Sequence, residues 1–321
     1  MHSRSWQGNR AWQWDGWSQP HWQGVEWDWQ DQSHSEALQR HRTNRNHRRE
    51  VRLERERQSA VEAVSKDGMA LKHMQKHHCD LEVVLAATTQ NGLALEFASR
   101  KCKADRAIAL AAVKQKGVAL QWVAEHLRSD PDIVLSALLQ DWKAHEWAAD
   151  GCKMDHDVVL ALVKKPGLTQ KALQWAAESM RSDHDIVLAA VTQFGEALSL
   201  AAESCRSDRQ IVLAAIARSP RDIQWAAASC QSERDIVLRV VEQDGRALQW
   251  AADTLKSDPE IVVAAVTQVG EALRLAADRC QSDRHIVLAA VTQSARALQY
   301  AAASCRSDRH IVSRAVERDG R

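Results

Sequence analysis

The sequence predicts an all-α protein: an α-solenoid of tandem two-helix repeats of about 25 residues, preceded by a disordered N-terminal tail. Three observations predict it. One acidic residue returns in register at Asp80, Asp105, Asp130, Asp155, Asp183, Asp208, Glu233, Asp258, Asp283 and Asp308, in steps of 25 with one step of 28. The segments between these anchors carry apolar residues at helical spacing. The chain is 45% hydrophobic yet holds only 2 Phe and 1 Tyr, so Ala, Val, Ile and Leu must build the core, which suits close helix packing better than strands.

Residues 1–39 form the tail. Seven Trp (Trp6, Trp12, Trp14, Trp17, Trp22, Trp27 and Trp29) and six Gln fall within residues 1–32 without a sustained period, a composition that predicts disorder. Disordered chains are usually poor in aromatics. The tail is therefore expected to adhere, with Trp12, Trp14 and Trp17 as candidate partner contacts. It has no continuous apolar core like that of a secretory leader.

Residues 40–57 form a lead-in helix or linker. Eight Arg against Glu50, Glu54 and Glu56 make it basic within a chain of formal net charge +1. Pairing of Glu50 and Glu54 with Arg three or four residues away predicts helix toward the C-terminal half. Arg40, Arg42, Arg45, Arg48, Arg49 and Arg52 are candidate phosphate contacts, which admits nucleic-acid association or nuclear import; a solvated charged helix is the plain alternative.

Residues 58–321 form the repeat array. The unit starting at Asp258 shows its logic: Asp258 is placed to cap a helix, Pro259 sits where a missing N–H is harmless, and Ile261 to Val266 follow as an apolar run. Gly270 is expected to close the helix as a left-handed C-cap. A second helix is expected at Leu248, Ala251, Ala252 and Leu255, with Ala pairs letting helices approach closely. The three extra residues fall in 165–169, between predicted helices.

The pattern Ser-Asp-x-x-Ile-Val-Leu-Ala-Ala-Val-x-Gln-x-Gly-x-Ala-Leu-x-Trp-Ala-Ala resembles the repeat family known as domain of unknown function 4116, over residues 58–321. The resemblance implies a helical repeat and no particular activity. Trp142, Pro220 and Ala295 depart from it at the turn Gly, and His145 departs at the Leu.

Several recurrent residues have both a chemical and a packing reading. Cys102, Cys152, Cys205, Cys230, Cys280 and Cys305 share a position that other units fill with Leu127, Met180 or Leu255, which marks a small apolar site rather than a disulfide or metal. His73, His77, His78 and Cys79 form the one metal-like cluster, without the second cluster a zinc motif needs. The aromatic series Phe97, Trp122, Trp147, Trp175, Trp225, Trp250 and Tyr300 could stack bases, but exchange with Leu200 and Leu275 favours burial. Basic residues flanking the anchors, such as Arg206 and Arg209, read as a solvated face or as a ligand-binding rim. A near-constant Gln (Gln90, Gln115, Gln140, Gln193, Gln243, Gln268, Gln293) cannot discriminate bases and is expected to serve the helix end.

No phosphate loop, nucleophile elbow or separate carboxylate pair is visible, so neither enzymatic activity nor a cofactor is expected. The longest apolar run, Ile211–Ala217, is too short to cross a bilayer, and the chain is read as soluble and intracellular, cytoplasmic with a nuclear alternative. The expected role is a non-enzymatic scaffold presenting the solenoid surface to a protein partner. The alternative is nucleic-acid association through residues 40–57.

Overall fold

The computed structural model describes residues 28–319, which are helical in α and 3-10 form with no strand among them. Contacts divide the chain into residues 1–58 and residues 59–321. A helix, Asp28–Lys66, begins in the first unit and ends in the second. It runs through a stretch free of Gly and Pro, rich in Glu, Gln and Arg, so the lead-in is helical along its whole length and not only toward its end. It opens inside the expected tail. Residues 1–27, with Trp12, Trp14 and Trp17, lie outside the described residues.

The array repeats one local plan. The Asp258 carboxylate accepts from the Glu260 and Ile261 N–H groups, Pro259 takes the first helical position, and the helix runs Pro259–Gln268. Ile261, Val262, Ala265 and Val266 are its buried residues. The same four offsets from the anchor are buried in the first helix of every unit from Asp80 to Asp283.

Two expectations about the second half of the unit are corrected. The second helix is not continuous: Gly270–Leu275 is a 3-10 turn, Ala276 and Ala277 are extended, and Asp278–Gln281 is one short α turn. The break frees the Ala277 N–H to donate to the Lys256 carbonyl of the preceding unit at 3.0 Å, a donor an unbroken helix would use internally. The bond recurs from Ala227 to Arg206, from Ala252 to Gln231 and from Ala302 to Gln281.

Nor is the turn Gly a left-handed cap. The only positive-φ Gly among the described residues is Gly167, at φ 83°, in the three-residue insertion. The residue before the turn Gly is extended, as at Val269 with φ −138°. Gly is required because a Cβ on Gly270 would stand 2.5 Å from the Ala290 carbonyl oxygen of the next unit. Gly92, Gly117 and Gly245 face the equivalent carbonyls of Ala112, Ala137 and Ala265 even more closely.

Candidate interaction surfaces

Most of the recurrent polar side chains hold the units together. Gln293 accepts the Gly270 N–H at 2.7 Å and donates to the Gln268 carbonyl at 3.1 Å, both in the preceding unit. Gln140 does the same to Gly117 and Gln115, and Gln90 to Gly68 and Lys66. At Gln90, Gln140 and Gln293 the recurrent Gln therefore staples its unit to the preceding one. The Cys280 thiol donates to the Ser257 carbonyl at 3.4 Å, and Cys102, Cys152, Cys205, Cys230 and Cys305 make the matching contact. All six are buried and unbridged, and burial pushes the Cys152, Cys205, Cys230 and Cys280 thiols up from their ordinary pKa.

Where an Arg follows the anchor at Arg106, Arg209, Arg234 and Arg284, it reaches the acidic residues that open the next unit. Arg106 bridges Asp130 and Asp132, Arg209 bridges Glu233 and Asp235, Arg234 bridges Asp258 and Glu260, and Arg284 meets Asp308 at 3.0 Å. The hydrogen bond from Arg106 holds the Asp130 carboxyl below its ordinary pKa, and that from Arg284 does so for Asp308. In some units the residue two before the anchor serves the 3-10 turn of its own unit: Arg128 donates to the Gln121 and Val123 carbonyls, and Gln281 to those of Leu273 and Ala276.

Apolar side chains also reach the surface of the array. The aromatic series is not fully interior: Phe97, Trp122, Trp147, Trp250 and Tyr300 are half-buried, Trp225 is 38% exposed, and Trp175 is buried. A second row, missed in the sequence reading, runs along the first helices. Leu110, Leu135, Leu160, Leu188, Leu213, Leu238 and Leu288 are half-buried, and Leu85 and Val263 are 38% and 37% exposed. All sit five residues after the anchor, between buried offsets three, four, seven and eight, so helical phase sets them at the edge of the core, with most packed against it and one side toward solvent. That phase could have revealed them.

In the first unit, Arg40, Arg42, Arg45, Arg48, Arg49 and Arg52 are all exposed on the helix. His41, Arg45, Arg48, Arg52 and Arg55 follow spacings of three and four and share a face, with Arg42 and Arg49 beside it; Glu50 and Glu54 fall opposite. Arg52 pairs with Glu56 at 2.9 Å and Arg57 with Glu54 at 3.2 Å.

The metal-like cluster is not assembled. His73 and Cys79 are exposed, His77 ends a short 3-10 segment, and the His78 Nε2 lies 2.8 Å from the Leu71 carbonyl. Among the described residues no group of three His, Cys, Asp or Glu is placed to hold a metal ion, and no helix is long and apolar enough to cross a membrane.

Two irregular units break the pattern. In the unit anchored at Asp208, Arg218 replaces the stapling Gln and Asp222 stands where other units bury Ala197, Ala247 or Ala272. The Asp222 carboxylate packs against Gly195 of the preceding unit, only 3% exposed. Burial, with Glu196 nearby, pushes its pKa up to about 6. The other break lies at Trp142, which replaces the turn Gly. Its ring stacks on His145 at 5.3 Å and meets Trp175 edge-on at 6.2 Å. A Trp there cannot repeat the close approach of Gly117 to its neighbour. The next unit ends its first helix at Val163, detours through 164–168, and forms a true α-helix, Thr169–Trp175, in place of the 3-10 turn.

The family model described as Domain of unknown function (DUF4116) matches residues 57–103, 105–148, 155–204, 233–281 and 283–321. No curated protein and no solved structure matches the chain.

Proposed function

Because the chain belongs to the DUF4116 repeat family, we propose that it works as its helical-repeat architecture suggests, as a non-enzymatic scaffold that docks a protein partner on the solenoid surface. The observation that carries this reading is the row of leucines five residues after each anchor. A single partly exposed Leu is ordinary, but one in each of the first helices that pack side by side from Leu81–Gln90 to Arg209–Arg218, with Leu238, Val263 and Leu288 forming a second run beyond, makes an apolar ridge. Several of the recurrent polar groups of the array are already engaged as caps, staples and ion pairs. Most of the anchor carboxylates serve as helix caps or ion-pair partners, which supports a structural role for them.

The test places a photo-crosslinking residue at Leu213, on the ridge, or at Ser204, exposed on a short turn of the same array. A discrete protein captured from Leu213 and not from Ser204 supports the reading. Equal capture at both positions, or none at Leu213, argues against it.

A second reading is favoured by the helical sorting of charge in residues 40–57. With Glu50 and Glu54 turned away, the basic face suits nucleic-acid phosphates. Such binding should weaken steeply with salt and be lost when Arg45, Arg48 and Arg52 are replaced by Gln.

A further inference from the structure

We propose that the break in the repeat at Trp142 builds a nucleotide-binding site, with the base against the Trp142 and Trp175 indoles and the phosphate on Lys153 and Lys171. A cleft of about 360 Å³ lies there, lined by Trp142, His145, Lys153, Lys171, Gln174 and Trp175. That volume is at the small end of ligand sites and fits one nucleotide. The site depends on departures from the repeat: Trp142 for Gly, His145 for Leu, and the inserted residues that turn the following segment into the helix carrying Lys171, Gln174 and Trp175.

Its chemistry selects the ligand. Aromatic walls favour a flat ring, and the two lysines with no carboxylate lining the cleft exclude a cation in favour of an anion. Lysines from two separate elements suit a doubly charged phosphate better than a carboxylate. Lys171 has no ion pair among the described residues, while Lys153 holds Asp150, itself 92% exposed, at 2.8 Å, a surface pair that a phosphate can replace. Trp175 is only 9% exposed, and its Nε1–H is buried without an acceptor. His145 is held in place by its Nδ1–H, which donates to the Trp142 carbonyl at 2.8 Å.

The source is either a free nucleotide or the terminal nucleotide of a single strand. Calorimetric titration of the full chain with adenosine monophosphate, adenosine and a 5′-phosphorylated oligoadenylate separates them. Saturable binding of the monophosphate, weakened at least about tenfold in Lys171→Gln and in Trp142→Gly, supports the site. An affinity for the oligoadenylate at least about tenfold higher identifies the strand end, and equal affinity the free nucleotide. Lys171 is exposed, so its variant keeps the fold, and Trp142→Gly restores the residue of neighbouring units. Adenosine binding as tightly as the monophosphate, unchanged binding in both variants, or no binding of either phosphorylated probe overturns the proposal.

Discussion

Replacing Asp222 by Ala, the residue that neighbouring units bury at this position, should stabilise the array, and the gain should depend on pH. Asp222 is 97% removed from solvent by its 3% exposure, has no side-chain hydrogen bond among the described residues, and carries a pKa raised to about 6 from 3.8. The folded state therefore holds this proton more tightly than the unfolded chain does. Its contribution to stability is fully present below about pH 4, declines as pH rises toward 6, and stays lost above it. A difference of about two pKa units corresponds to about 3 kcal/mol at neutral pH. Urea unfolding of the wild-type and Asp222→Ala proteins at acid and neutral pH measures this directly, because other carboxyls titrate alike in both and cancel. Asp222→Asn, which removes only the charge, should abolish the pH-dependent part. A gain for Asp222→Ala that is equal at acid and neutral pH, or a loss at neutral pH, would refute the reasoning.

Three further outcomes follow from the contacts between units. Gly245→Ala drives a Cβ into the Ala265 carbonyl and should cost about 1–3 kcal/mol in thermal or urea unfolding, whereas Gly151→Ala, with open space around it, should be near neutral. Cys79 is exposed and the other six thiols are buried, so a thiol reagent at neutral pH should label one cysteine quickly and the rest only on unfolding. Gln293→Ala removes two bonds to the preceding unit and orphans the Gly270 N–H, for an expected loss of about 1–3 kcal/mol by urea unfolding, while Gln224→Ala on an exposed turn should change little.

The register of Asp258 and its equivalents revealed the array, the cap and the first helix, because capping and the helical period are local rules that one unit's residues satisfy alone. The second half of the unit was misread for the opposite reason. Its 3-10 turn, extended Ala pair and compact Gly exist to meet the neighbouring unit: the Ala277 N–H, the Gln293 amide and the Gly270 hydrogen all face atoms 20 or more residues away. Periodicity within one helix does not register such contacts. The Leu213 row was legible in phase but hidden by its apolar character, since an Ile-Val-Leu-Ala-Ala run looks uniformly interior until the buried offsets are separated from the rest. The cleft at Trp142 was visible only as three unrelated departures, a lost Gly, a lost Leu and an insertion, which the fold brings together.

The ridge is tested most directly by affinity capture from native lysate with the full chain and with Leu160→Glu, Leu188→Glu and Leu213→Glu combined, each with nuclease and in high salt. These side chains are half-buried at the edge of the core, and the comparison is read only where the melting curves of the two chains match. The expected result is a discrete protein retained by the wild-type chain through nuclease and salt and lost by the variant. Retention by both chains, or recovery that disappears with nuclease, would contradict a protein-docking ridge and move the active surface to the basic helix.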